Sequence, residues 1–351
     1  MTRPIPAADL DHVLEHTRDA WQRARAARIF LTGGTGFFGV WLAESFSHAN
    51  ERLGLGAELV VLSRDSAVAI ARVPRLGELH GVSFHQGDVR DFTFPRGEFT
   101  HVVHGAAESS QQGHVGDHRH MFDTIIDGTR RTLELARQAG AASYLLLSSG
   151  AVYGAQPPAL SHVAESFTGG PALDTATSAY AEAKRAAEVL AAIEAERGML
   201  SVRVARCFAF VGPHLPLDIH FAIGNFIRDA MHGGPIRIKG DGTAVRSYLY
   251  MADLAIWLWT IALGVTASGP YNVGSEQPLS ILETARAVAG SVTPPVEVLV
   301  EGRPAPDKPV HRYVPSTARA RDELGLTQRV SMTDAIARTI AWHSSGPTNK
   351  S

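Results

Sequence analysis

A short apolar run, Arg28-Ile29-Phe30-Leu31, leads straight into Thr32-Gly33-Gly34-Thr35-Gly36-Phe37-Phe38-Gly39 and then into the helical stretch Val40-Trp41-Leu42-Ala43-Glu44. Glycines at 33, 36 and 39 permit a tight strand-to-helix turn, close approach of backbone to an anion, and close packing of helix on strand. The helix N-terminus then presents free N–H groups and a favourable dipole to a pyrophosphate. Further apolar runs at 59–62, 101–104, 144–147 and 202–205 alternate with helical stretches. Strands alternating with helices imply a parallel sheet covered on both faces. Beyond Gly212 the strands thin out while proline and glycine become frequent, notably in 213–216 and 302–315. The expected class is therefore α/β: a doubly wound parallel sheet of Rossmann type with a smaller C-terminal substrate-binding lobe. The expected boundaries are a helical extension over 1–27, a dinucleotide-binding domain over 28–212 plus about 246–270, and the lobe over 213–245 and 271–345. In the extension, Leu10, Val13, Leu14 and Trp21 share one face of a helix predicted over 8–27, which packs on the main domain or on another subunit.

Composition narrows the partners. The 351 residues carry 33 Lys+Arg against 35 Asp+Glu, so no basic field points to nucleic acid or a membrane surface. The lone cysteine, Cys207, excludes an internal disulfide and a cysteine zinc site, and suits a reducing compartment. The first 30 residues lack the apolar core of a signal peptide, and no run of 18 apolar residues occurs, so the expected location is cytoplasmic. His114-Val115-Gly116-Asp117-His118-Arg119-His120 has metal-like spacing but no fourth ligand, and reads as solvated or substrate-rim histidines; no metal is expected.

Two further features carry chemistry. Tyr180-Ala181-Glu182-Ala183-Lys184 places a phenol and an amine on one helix face. With four lysines and seven tyrosines in the chain, a chance pair at this spacing is expected about 0.08 times. A phenol is a poor base at neutral pH, and a neighbouring cation favours its phenolate, so the pair makes a usable acid/base. Leu147-Ser148-Ser149 ends an apolar strand at the carboxyl edge where ligands bind in such sheets, and Ser149 is placed to hydrogen-bond a substrate hydroxyl. At the end of the second strand stands Ser63-Arg64-Asp65. Arg64 suits the 2′-phosphate of NADP, whereas Asp65 would reach an NAD ribose if the strand ended one residue later.

The glycine turn, Ser149 and the Tyr180/Lys184 pair, in that order, resemble the extended short-chain dehydrogenase/reductase family, in particular its nucleotide-sugar epimerase/dehydratase group. The resemblance runs from about Arg28 to about Leu326. It takes in His85–Asp91, His104–Ser109, Asp127-Gly128-Thr129, Arg206–Pro213 and Gly240–Tyr248. It implies NAD or NADP as cofactor, with NADP favoured by Ser63-Arg64, and a nucleotide-diphosphate sugar as substrate. Tyr180 would be the acid/base, Lys184 would hold the nicotinamide ribose, and Ser149 would complete the catalytic set. Gly33, Gly36, Phe37, Phe38, Gly39, Ser63, Arg64, Asp88, Val89, Ala106, Ala107, Thr124 and Ser148 would line the cofactor, Asp88 and Val89 flanking the adenine. Glu108, Ser109, Phe208, Asn225 and Arg246 would face the substrate, with Arg303 or Arg312 as a further phosphate contact.

Departures from the group's pattern bear on the reaction. Its dehydratases carry an Asp-Glu pair just after the catalytic hydroxyl residue, and its decarboxylases a glutamate, where this chain has Gly150-Ala151. The asparagine usual after Phe208 is Ala209, and the one usual three residues before Gly128 is Ile125. A 4-epimerase is the expected activity. An NADPH-dependent 4-keto-sugar reductase comes second, and dehydration or decarboxylation through Glu108 third. Alanine-rich faces after Asp127 and over 180–197 imply the family's helical homodimer.

Overall fold

In the computed structural model, which describes residues 3–107, 117–219, 221–264, 269–303 and 309–344, the run from Arg28 is a central strand. Ile29, Phe30 and Leu31 are at most 1% exposed and have sheet neighbours on both sides. Ahead of it lies helix α1 (Ala7–Arg23); then come β1 (Arg28–Thr32), α2 (Phe37–Leu53), β2 (Glu58–Ser63), α3 (Ser66–Arg72) and β3 (Val82–Gln86). The chain continues through β4 (His101–His104), α4 (His118–Gln138), β5 (Ser143–Ser149), α5 (Ala179–Glu196) and β6 (Ser201–Cys207). Short strands and helices follow: β7 (Phe210–Val211), α6 (Ala222–Met231), β8 (Ile236–Ile238), β9 (Val245–Arg246), β10 (Leu249–Tyr250) and the buried α7 (Met251–Leu263). The rest is β11 (Gly269–Val273), β12 (Leu279–Ser280), α8 (Ile281–Ala289), β13 (Val298–Val300), β14 (Arg312–Tyr313), α9 (Ala318–Leu324) and α10 (Met332–Ser344).

Seven parallel strands form one sheet in the order β3-β2-β1-β4-β5-β6-β11. The direction of winding reverses between β1 and β4, and the crevice outside their carboxyl ends is where such a sheet binds ligands. Two strands were not evident in the sequence. β3 is an edge strand with no fully buried residue, so its apolar signal is weak. β11 begins Gly-Pro, residues that argue against a strand, yet it pairs with β6 over Gly269–Val273 and crosses the boundary expected near 270.

The helix expected over 8–27 ends at Arg23, and its apolar face is covered within the chain. Trp21 is fully buried, 4.7 Å from the Trp259 ring of α7, and Tyr250 donates a 2.6 Å hydrogen bond to Asp9. Beneath this helix, Glu44 of α2 accepts the Ile5 N–H through Oε2, while its Oε1 lies unpartnered 3.9 Å from His214 Nε2. Burial lifts this carboxyl to about 7. A carboxyl raised in the folded state contributes stability that is present below its ordinary value near 4.5 and lost as pH rises through about 7. The loss is up to about 3 kcal/mol. Glu44→Gln is expected to flatten the pH dependence of stability between those limits, and denaturant midpoints that keep their wild-type slope would refute this.

Candidate active site

The glycine turn sits at the switch point. Gly33 has φ +76°, and a Cβ there would lie 2.7 Å from the Gly105 carbonyl carbon, so only glycine fits against the end of β4. A Cβ at Gly39 would overlap Gly33 O, which ties α2 to the turn. Gly36 caps α2 with no side-chain hydrogen bond, which leaves the first N–H groups of the helix for a ligand. Thr32 Oγ1 accepts from the N–H of Gly105 at 3.2 Å and of Ala106 at 3.0 Å and lies 2.8 Å from His104 Nδ1, locking β1 to β4. Ala106 and Ala107 lie half-buried just beyond, and Thr124 Oγ1 of α4 is buried without a hydrogen-bond partner. Uncapped helix donors, a gap that only glycine can border and an orphaned hydroxyl fit a dinucleotide. The rings of Phe37 and Phe38 pack against the protein, Phe38 edge-on to Phe210 at 4.9 Å, and anchor the turn.

At the adenosine end Ser63 is buried, while Arg64 is exposed with its charge felt by Asp88. Asp65 is spent as the N-cap of α3, accepting the Val68 N–H at 3.0 Å. Arg90 grips Asp88 at 2.8 and 3.1 Å and holds its carboxyl below the usual range. Val89 is buried against Gly128. Arg72, which sequence reading missed, donates to Thr35 O of the glycine turn.

Ser149, Tyr180 and Lys184 converge as the spacing required. Ser149 Oγ accepts the Ala151 N–H at 3.1 Å and faces the phenols of Tyr180 and Tyr313, drawing both of their pKa values down. The expected lowering of the Tyr180 phenol by a lysine cation is not what the structure shows. Burial pushes this phenol up, and the Ser149 hydroxyl opposes the rise. Lys184 Nζ is 6.0 Å from the Tyr180 ring centroid and donates a 2.7 Å hydrogen bond to Leu147 O; burial brings the amine down to about 8. Cys207 lies beside Lys184, and burial pushes its thiol up to about 12.

Ser148 is turned to a different task. Its hydroxyl donates to Glu188 Oε1 at 2.5 Å, so its proton is committed to protein rather than to a cofactor. Glu188 also binds Arg206 through Nε at 3.0 Å and Nη2 at 2.6 Å. Arg206 reaches the Tyr153 hydroxyl at 2.9 Å, and that hydroxyl donates to Asn272 Oδ1 at 2.7 Å. Glu188 stands four residues after Lys184, and this spacing was the available sequence signal for it.

On the substrate side the Phe208 ring fills the space at Gly150: a Cβ there would come within 2.7 Å of Phe208 Cζ. Phe208 itself packs at a tilt against Tyr313, with ring centroids 4.6 Å apart. Arg246 pairs in register with Tyr313, its guanidinium 5.9 Å from the ring, and burial lowers its pKa. It donates only to backbone carbonyls, of Val245 and His311, and no carboxylate among the described residues reaches it. A desolvated guanidinium in that state can take an anion. Arg312 pairs with Val245, and strand alternation turns it to the opposite face from Arg246 and Tyr313. Arg303 is exposed, and Asn225 on α6 accepts from Arg228 at 3.3 Å. Glu108, Ser109 and His114 lie outside the described residues; His118 and His120 open α4, whose N-cap Asp117 accepts the His120 N–H.

The model of the NAD-dependent epimerase/dehydratase family matches residues 29–274. Among curated proteins, the chain is 27% identical over 321 residues to UDP-glucuronic acid decarboxylase 1 of Arabidopsis thaliana, covering 90% of this chain and 69% of that protein. It is 30% identical over 331 residues to a dTDP-glucose 4,6-dehydratase of Streptomyces griseus, covering 90% and 93%. Among solved structures, the Thermus thermophilus UDP-glucose 4-epimerase complexed with NAD superposes with TM-score 0.73 at 25% identity, covering 91% of this chain and 99% of that one. A glycine turn at the switch point, a hydroxyl–phenol–lysine cluster at the sheet edge and a match over both place this chain in the NAD-dependent epimerase/dehydratase family.

Proposed function

We propose that this enzyme is a nucleotide-diphosphate-sugar 4-epimerase. The observation that carries the reading is Gly150 sealed by Phe208 beside an intact Ser149, Tyr180 and Lys184. A carboxylate at 150 would have to displace a ring packed on Tyr313, and Ala151 offers only a methyl, so among the described residues neither position after Ser149 supplies a carboxylate to the reacting carbon. That suits oxidation and re-reduction at one carbon better than loss of water or carbon dioxide. The relatives support the substrate class, since their names specify UDP- and dTDP-linked sugars.

A nicotinamide dinucleotide, held by the glycine turn, Ala106, Ala107, Thr124 and Lys184, would supply a reversible hydride acceptor. Ser149 would orient the sugar O4, and Tyr180 would take its proton, hold it while the ketone turns, and return it. Arg246 would bind the diphosphate from the second lobe, and we place the lobe boundary after Val273. Incubation with UDP-glucose, UDP-glucuronic acid or dTDP-glucose, followed by proton NMR, should show inversion at C4 alone. Release of carbon dioxide or a 6-deoxy-4-keto product would overturn the reading.

A 4-keto-sugar reductase is favoured by one feature, the cationic adenosine end. Arg64 is exposed, Arg72 lies at the turn, and Asp65 is engaged as a helix cap. Arg64→Ala is expected to weaken NADP binding about tenfold more than NAD binding, as loss of one charge-assisted contact requires. Equal losses would reject this preference. The exposed Val189 and Ile193 on α5 suit a homodimer, which a monomer mass by light scattering would exclude.

A further inference from the structure

Helix α1 carries His12-Val13-Leu14-Glu15-His16, remote in sequence from every residue of the candidate active site. Residues three and four apart share a helix face, so His12, Glu15 and His16 stand together while Val13 and Leu14 are buried in the core. One donor atom from each of the three, a ring nitrogen or a carboxylate oxygen, lies within 4.8 Å of the other two. The imidazole centroids are 4.5 Å apart. Nitrogen and oxygen donors bind a tetrahedral ion at about 2.0–2.2 Å, so side-chain rotations alone close this set around one.

What distinguishes this trio from an incidental surface cluster lies behind the rings. Metal-bound imidazoles use their second nitrogen to donate to a carbonyl or carboxylate, which fixes the tautomer and the ring plane. His16 Nδ1 lies 2.9 Å from His12 O, which leaves Nε2 for a ligand. His12 Nε2 is buried and unpartnered, 3.8 Å from Asp253 Oδ1. That oxygen is also buried and unpartnered, on a fully buried carboxylate whose Oδ2 accepts the N–H groups of Arg329 and Val330 at 3.0 Å. Asp253 is thus fixed in place with one oxygen waiting for a donor, and His12 supplies that donor once its other nitrogen binds a cation.

We propose that His12, Glu15 and His16 form a site for a divalent transition metal of the zinc class, with Asp253 orienting His12. Two imidazoles and a carboxylate suit zinc rather than calcium or magnesium, which prefer all-oxygen sets. Glu15 is exposed, so the fourth position opens to solvent. The bound ion fastens α1 to α7, which carries Asp253.

The test is calorimetric titration of chelator-stripped protein with zinc chloride, together with thermal unfolding. The wild type is expected to bind zinc and to unfold at a higher temperature when zinc is present at about 100 times its Kd. His16→Ala should lose both effects, and the exposed Glu15→Gln, which carries little folding risk, should weaken binding about tenfold. The paired variant His118→Ala/His120→Ala should keep them. Binding that survives His16→Ala, binding lost only with His118 and His120, or no zinc-dependent rise in Tm would each overturn the proposal.

Discussion

Replacing Tyr180 with phenylalanine should lower turnover of a nucleotide sugar by about 10²–10⁴-fold, the usual worth of a positioned acid/base. Dinucleotide binding should be nearly unchanged, because the ring and its packing remain. The effect is set by the environment of the phenol. Burial keeps its hydroxyl protonated, with Ser149 opposing the rise, so whatever forms the phenolate must overcome desolvation. Lys184 is positioned to help once its amine turns from Leu147 O, and at about 8 it is still largely protonated at neutral pH. Burial raises the Tyr313 phenol too, and Ser149 draws it down as it does Tyr180. The activity left in Tyr180→Phe should therefore fall further in Tyr180→Phe/Tyr313→Phe, while Tyr313→Phe alone should act mainly on KM. Steady-state rates with a fluorescence titration of NAD separate these effects. A Tyr180→Phe enzyme within about tenfold of wild type would remove this phenol from the proton path.

The residues legible in the sequence are those whose partners are close along the chain. The β1–turn–α2 unit spans under 30 residues, and Tyr180 and Lys184 share a single helical turn, so local spacing encodes both. Ser149 was legible because strand ends at the carboxyl edge are ligand sites in this class of sheet. Tyr313 was not. It meets Ser149 only through the pairing of β14 with β9, across more than 160 residues. The direction of the Tyr180 shift was missed because the sequence shows a lysine one turn away but neither the burial that pushes the phenol up nor the Leu147 carbonyl that holds the amine. Asp65 could be read as a ribose ligand until the start of α3 made it a cap. Gly150 was visible as a missing carboxylate; that Phe208 excludes a side chain there required the fold.

Glu188→Ala is expected to cost about 3–5 kcal/mol of stability, the range found when one partner of a buried ion pair is removed. Glu188 and Arg206 are only 13% and 15% exposed, and the pair is double-stranded, with Nε and Nη2 both on the carboxylate. Removing the carboxylate strands the guanidinium and also frees Ser148, whose hydroxyl would lose its acceptor at the end of β5. The damage should then pass to the neighbouring Ser149 and to the helix that carries Lys184, so kcat should fall along with the denaturant midpoint. Glu188→Leu/Arg206→Met distinguishes the two consequences. An apolar pair of similar volume leaves no unpaired charge, so stability should return close to wild type. Ser148 remains without its acceptor, so activity should stay reduced. Stability that is unchanged in Glu188→Ala would show that water reaches Arg206 freely, and full recovery of activity in the double variant would show that Ser148 needs no carboxylate to keep β5 in register with the reacting groups.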